Sequence, residues 1–336
     1  MTNWLSLIPM KKKITVVSGL LLISLVCFSF YGKILATWKA VTPENLPLPR
    51  HENAFARVGD SFYLLGGRQI KPVERYDTKT NRWEKRAAPP LEMSHFQAVT
   101  FKDEIYVVGA FTGGYPHETP IPRIYIYNPK QDAWREGPEI PADRRRGSAG
   151  VTVYQNKIYV VCGITDGHWD GQVSWFDEYN PATNTWRKLP DAPRTRDHVS
   201  IAVADNQLVV AGGRRSTARV DSVLNTTIAQ VDVFDFKTNK WRTAPASQHI
   251  PTQRAGCTAV PLGSKVVIIG GESPQQVSHN ETEAFDVKTN TWQKLTPMQT
   301  GRHGTQAIIY QGKIFIAAGS GNHGGGPELN SMEVME

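Results

Sequence analysis

Short apolar runs recur along the chain, each ending in a pair of small residues: FYLLGG at 62–67, IYVVGA at 105–110, IYVVCG at 158–163, LVVAGG at 208–213, VVIIGG at 266–271 and IFIAAG at 314–319. Runs of this length, rich in β-branched and aromatic residues and closed by glycine, predict strands rather than helices. A second strand follows five of them, with an aromatic residue seven positions before a tryptophan. Its copies read YDTKTNRW (76–83), YNPKQDAW (127–134), YNPATNTW (179–186), FDFKTNKW (234–241) and FDVKTNTW (285–292). The Asp, Asn, Pro and Thr residues in between are those of a tight antiparallel connection.

The tryptophans Trp83, Trp134, Trp186, Trp241 and Trp292 set a period of 51 to 55 residues. A near-constant period of this size predicts stacked or radial repeats. The sixth unit stops early: residues 331–336 align with 72–77, and the chain ends before the turn and its tryptophan. The missing piece stands at the other end, where TWKAVTP (37–43) matches TWQKLTP (291–297). The N-terminal strand is therefore expected to complete the last blade and shut the ring, which removes its open seam.

The small-residue doublet, the Tyr-Asp or Phe-Asp step and the following tryptophan resemble the Kelch repeat, over residues 37–336. The doublet departs from Gly-Gly at Gly109-Ala110, Cys162-Gly163 and Ala318-Gly319, always small for small. The resemblance implies an all-β fold: a six-bladed Kelch-type β-propeller whose N-terminal strand closes the last blade; separately, one transmembrane helix is expected before it. The doublet and the tryptophans are expected to be structural: Gly permits positive φ and close backbone approach, and the indole buries area between blades.

The transmembrane expectation rests on ITVVSGLLLISLVCFSFY at 14–31, which carries no charge and follows Lys11-Lys12-Lys13. As a helix it would span roughly 27 Å, close to a hydrocarbon core. The lysines place residues 1–13 in the cytoplasm and the propeller outside it, in the periplasm or at the cell exterior. Cleavage after Ala36 is the alternative, although Ile34 fits the −3 position poorly; a lipid anchor at Cys27 is a third, although Val26 is not the usual small residue. All three export the domain.

The formal net charge is +7, but residues 1–36 hold four lysines and no acid, so the remainder is only mildly basic and no nucleic-acid partner is required. Cys162 and Cys257 are expected as isolated buried thiols. No metal-type CxxC spacing and no HExxH occurs, and neither metal nor cofactor is expected. Gly319-Ser-Gly321-Asn-His-Gly324 satisfies GxGxxG, but no helix or acidic partner follows as dinucleotide binding requires. The resemblance raises copper radical oxidases built on such propellers; their two-Tyr, two-His set with a thioether-linked Cys has no clear counterpart here. Asn225-Thr-Thr and Asn280-Glu-Thr are glycosylation sequons if the cell is eukaryotic.

With strands labelled a to d from the axis outward, the d-to-a and b-to-c connections share one face, and the b-to-c loops are long and unequal. Variable loops on a rigid scaffold are where binding is placed. At the start of strand a, Arg50, Arg146, Arg196, Arg254 and Arg302 align, with Met93 in blade two. Beside them stand His51, Glu52, His95, Asp197, His198 and His303; the b-to-c loops add Asp166, His168, Trp169, Arg214, Arg215, Glu272, Asn322 and His323. Two readings of the arginines are open. As a ring at the channel mouth they would grip a carboxylate, phosphate or sulfate; as framework, which the resemblance also implies, they would bond backbone carbonyls. His168 and Trp169 suggest a stacking platform for a sugar, or a loop packed on its neighbour. The expected function is a ligand-recognition domain for a glycan, an acidic sugar or a protein segment. The alternative is a sugar-acid mutarotase, epimerase or lyase using Glu52, Asp197, His198 and Glu272 for acid–base work.

Overall fold

Each repeat folds as a four-stranded antiparallel meander, and six such sheets make the β-propeller. The structure, a computed structural model, describes Met1 and residues 36–336. The segment 14–31 expected to cross a membrane lies outside the described residues, as does all but Met1 of the tail expected at 1–13; no helix among the described residues is long and apolar enough to cross one. Blade one runs Asn53–Val58, Ser61–Gly66, Glu74–Asp77 and Arg82–Lys85 from axis to rim, and the later blades repeat this order.

The seven-residue spacing between aromatic and tryptophan follows from the c–d hairpin. It sets the two side chains directly opposite each other, as in Tyr76↔Trp83, Tyr127↔Trp134 and Phe285↔Trp292. Ring centroids in these pairs lie 5.2 to 5.3 Å apart, within the range where aromatic pairs attract beyond their area burial. The apolar b strands are buried on both faces; every residue of Ser61–Gly66 is buried. The core therefore fills the wedges between neighbouring blades. One cluster joins Tyr63 and Leu65 of blade one, Val107 and Tyr127 of blade two and Val160 of blade three.

The ring closes as the repeat arithmetic requires. Ala307–Tyr310, Lys313–Ala317 and Met332–Met335 are completed by Trp38–Val41 in one sheet. The seam register is Trp38↔Met335, Lys39↔Val334, Ala40↔Glu333 and Val41↔Met332, antiparallel. Trp38 packs with Ile269, Ala284 and Met298 of blade five, and its indole N–H donates to the Thr282 hydroxyl at 3.1 Å.

The first doublet position adopts a left-handed conformation even where it is not glycine: Cys162 and Ala318 both have φ of 60°. At the second position, except in blade two where Ala110 stands, the neighbouring backbone excludes a side chain. A Cβ on Gly271, at φ +122°, would sit 2.8 Å from the Ala255 carbonyl oxygen. Cys162 and Cys257 are free, buried thiols. Burial pushes both thiols up, Cys162 to about 12. Neither should react with iodoacetamide at pH 8 in the native protein, and both should react after denaturation; native labelling of either, read by mass spectrometry, would contradict this burial.

Candidate functional site

The five aligned arginines are framework. Arg50, Arg196 and Arg254 have no exposed surface, and Arg146 and Arg302 almost none. Each reaches back along its own blade to a carboxylate on strand c. Arg50 pairs with Glu74 at 2.6 Å, Arg146 with Asp177 at 2.8 Å, Arg196 with Asp232 at 2.6 Å, Arg254 with Glu283 at 2.6 Å and Arg302 with Glu333 at 2.7 Å. Each also donates to the carbonyl of the first doublet residue: Gly66, Cys162, Gly212, Gly270 and Ala318. The ring reading is thus corrected in favour of the framework one: the guanidinium groups are turned inside the blades, because a buried cation needs a counter-charge and hydrogen-bond acceptors there, although Nε of Arg50, Arg196 and Arg302 is left without a partner.

What faces the axis is the residue two places after each arginine position. Glu52, His95, Ser148, His198, Gly256 and Gly304 all have φ between 50° and 62°. The four non-glycine members sit in a conformation that side chains rarely adopt, a local cost that tends to mark functional positions. Backbone hydrogen bonds tie these residues into an arc around the channel: His95 N donates to Glu52 O, Ser148 N to His95 O, Gly256 N to His198 O and Gly304 N to Gly256 O, at 2.8 to 3.1 Å. Glu52, His95, Ser148, His198 and both glycines line a narrow waist of about 50 Å³.

Above the waist a cavity of about 780 Å³ opens on the loop-rich face. The d-to-a connections supply His51, Glu52, Glu92, His95 and His303; the b-to-c loops supply Arg68, Gln69, Gly113, Gly114, Tyr115, His168, Arg214, Val223, Leu224, Glu272, Gly324 and Gly325. Seven of the residues expected from sequence therefore meet there: His51, Glu52, His95, His168, Arg214, Glu272 and His303. His198 lies just below, at the waist, and Asp197 is wholly buried behind it. Trp169 is not among the residues lining this cavity; it packs on His117 with centroids 4.7 Å apart, so the expected sugar platform is corrected to a loop-to-loop contact.

The imidazoles are held from behind. Nδ1 of His168 lies 3.0 Å from Glu118, Nδ1 of His198 lies 2.5 Å from Asp197, and Nδ1 of His95 lies 3.0 Å from the Ser94 hydroxyl. The Asp197 carboxylate also accepts from the Ser216 amide and hydroxyl. Burial, with His168 and His198 alongside, holds His95 well below the ordinary histidine value, and burial beside Arg214 lowers His198. Both rings are thus neutral near pH 7. Burial alone would raise Glu118, but hydrogen bonds from His168 and Arg68 override it and hold the carboxyl at about 2. Glu272 is likewise depressed, burial being outweighed by His303 and Arg214. Glu52 stands between two imidazoles, 3.6 Å from His95 Nε2 and 3.8 Å from His303 Nε2. His303 Nε2 is also 3.3 Å from Glu272 yet makes no hydrogen bond.

Sequence reasoning missed Arg68, Tyr115 and Glu118. Arg68 follows the Gly66-Gly67 doublet as Arg214 follows Gly212-Gly213, so its position was readable. Glu118 and Tyr115 lie on the Phe111–Thr112/Thr119–Pro120 hairpin of blade two, which packs beside the Ile164–Asp166/Asp170–Gln172 hairpin of blade three. Neither hairpin belongs to the repeat, so no alignment of blades predicts their meeting.

Comparison with known proteins agrees with this architecture. A family profile described as the KLHDC2/KLHL20/DRC7 Kelch-repeats domain matches residues 24–213 and 139–319. The Kelch-like protein terF of Aspergillus terreus is 30% identical over 345 residues, covering 94% of this chain and 73% of that protein. Human Kelch-like protein 23 is 24% identical over 305 residues, and rat Kelch-like protein 38 is 24% identical over 265. The chain spans only 50% and 42% of those two proteins. A solved structure titled "Structure of YjhT" superposes with a TM-score of 0.72 at 15% identity, over 86% of this chain and 95% of that one, a likeness of fold.

Proposed function

Because the chain belongs to the Kelch-repeat family, and function lies in the site that a fold carries, we propose that it recognises a small polar ligand, of the size and charge of a sugar acid, in the channel-mouth cavity. One observation carries this reading. A cavity of about 780 Å³, within the range of small-molecule sites, is walled by imidazoles and carboxylates brought there by the d-to-a connections and b-to-c loops. Arg68, partly exposed at the wall, is the cation placed to meet a ligand carboxylate. A protein segment fits less well: the exposed apolar residues Ile70, Tyr115, Val220 and Val277 stand on separate loops.

Screening the protein by thermal shift against sugar acids and their neutral counterparts tests this. Sugar acids should raise the melting temperature, and Arg68→Ala, which also takes a partner from the buried Glu118 and so lowers the unliganded melt, should abolish that ligand-induced rise. If neither panel shifts the melt, the small-ligand reading fails.

The arrangement around Glu52 favours a second reading, the sugar-acid epimerase or mutarotase. A carboxylate between two imidazole nitrogens, opening on the same cavity, can pass a proton to or from a bound substrate. Turnover would then appear as solvent deuterium entering the bound sugar, or as faster anomer exchange by NMR, reduced roughly 10²–10⁴-fold in Glu52→Gln.

A further inference from the structure

We propose that His95, His168 and His198 form a binding site for one divalent transition-metal ion, zinc in the first instance, with an open coordination position facing the channel-mouth cavity. One ring nitrogen from each of the three lies within 4.8 Å of those of the other two, and all three residues are buried. His95 meets each of the other two rings edge to face and His168 is tilted against His198, with centroids 4.8 to 5.2 Å apart, yet no histidine in the group hydrogen-bonds another.

Orientation is the stronger argument. Each Nδ1 is already engaged, by Ser94, Glu118 or Asp197, which fixes the ring and leaves Nε2 as the free lone pair. A ring N–H held by a carboxylate is the arrangement that raises the basicity of a metal-binding imidazole and sets its tautomer. Two of the three rings have it outright, and the third has a hydroxyl in its place. His198 Nε2 is buried with no hydrogen-bond partner, a cost that a metal bond would remove. A packing role for three adjacent imidazoles would not call for a ring nitrogen of each to lie within 4.8 Å of the other two.

The charge balance suits a cation. Glu118 and Asp197 back the ligands, and Glu52 lies 3.6 Å from His95 Nε2, near enough to approach the ion or a water upon it. Tetrahedral zinc sets its ligand nitrogens roughly 3.3 Å apart, so closing the cluster takes side-chain movement of about an ångström. Three imidazoles with a remaining open position is the donor set of a zinc centre that works on a ligand, whereas structural sites close all four positions. The proposal stands apart from the ligand reading above, because the metal alone tests it.

The experiment uses the full chain without an affinity tag, stripped with chelator and titrated with Zn²⁺ by calorimetry and with Co²⁺ by visible absorption. One ion per chain and a ligand-field band of tetrahedral intensity are expected. His198→Gln and His168→Gln, each confirmed folded by circular dichroism, should each weaken binding at least 100-fold, and Asp197→Asn roughly 10–100-fold by loosening His198. His303→Gln, outside the triad, should leave the stoichiometry unchanged. Absence of a stoichiometric site, or equal binding in folded His168→Gln and His198→Gln, overturns the proposal.

Discussion

Arg302→Ala should lower the unfolding free energy by about 3–5 kcal/mol, because it strands a buried carboxylate. The Arg302 side chain is fully enclosed and donates to the carbonyls of Ala318 and Ser331, each at 3.0 Å, and to Glu333 at 2.7 Å. Glu333 in turn accepts from the backbone amides of Gln299 and Thr300, so the pair ties three segments of the last blade together. Denaturant melts measure the loss, and a change below about 1 kcal/mol would mean that the pair contributes no more than a surface contact. The double variant Arg302→Met/Glu333→Leu should recover much of the stability, since well-packed apolar replacements of buried pairs often do. Replacing Arg146, Arg196 and Arg302 together should remove on the order of 10 kcal/mol, comparable to the whole stability of a domain, so no folded protein should remain. That is the opposite of what a ligand-gripping ring would give.

Trp38→Ala should cost about 3–5 kcal/mol, as large-to-small changes in a packed aromatic site do. The indole is buried in the wedge between blades five and six, and the Trp38 carbonyl accepts from the Gln299 side chain. Deleting residues 37–41 is the harsher change, because it leaves Met332–Met335 as an unpaired edge strand. Such an edge pairs with other chains, so that variant should elute as aggregate from size-exclusion chromatography, whereas Trp38→Ala should stay monodisperse with a lower melting temperature. A deletion variant that remained monodisperse and melted like the parent would show that the ring holds without its seam.

The fold was legible because its signal is repeated: six doublets and five aromatic–tryptophan pairs constrain one another, and the broken sixth copy reveals the closure. The arginines stayed open between ring and framework because an alignment fixes a position along the chain and says nothing about its partner. The partner was nonetheless written there. An acid stands two places before the c-strand aromatic as Glu74, Asp177, Asp232 and Glu283, and at the same position as Glu333. Blade two, where Met93 replaces the arginine, carries Tyr125 instead. Cation and anion are present or absent together, the pattern of a pair within each blade. His95 and His198 share a repeat position and could be grouped from sequence. His168 arrives on a hairpin outside the repeat, so its junction with them is a tertiary fact.

The left-handed arc at the waist means that the interior chemistry is separable from the scaffold, though not freely. Six equivalent sockets point at one axis, and the occupants differ while the backbone does not. Yet they share space: a methyl group on Gly304 would meet the Glu52 carboxylate 2.8 Å away, whereas one on Gly256 would only touch the His303 ring. The vacant socket at Gly304 is thus what gives the Glu52 side chain room to lean in. Reprogramming this interior is a problem of tenancy around a circle, in which each new occupant needs an empty place beside it.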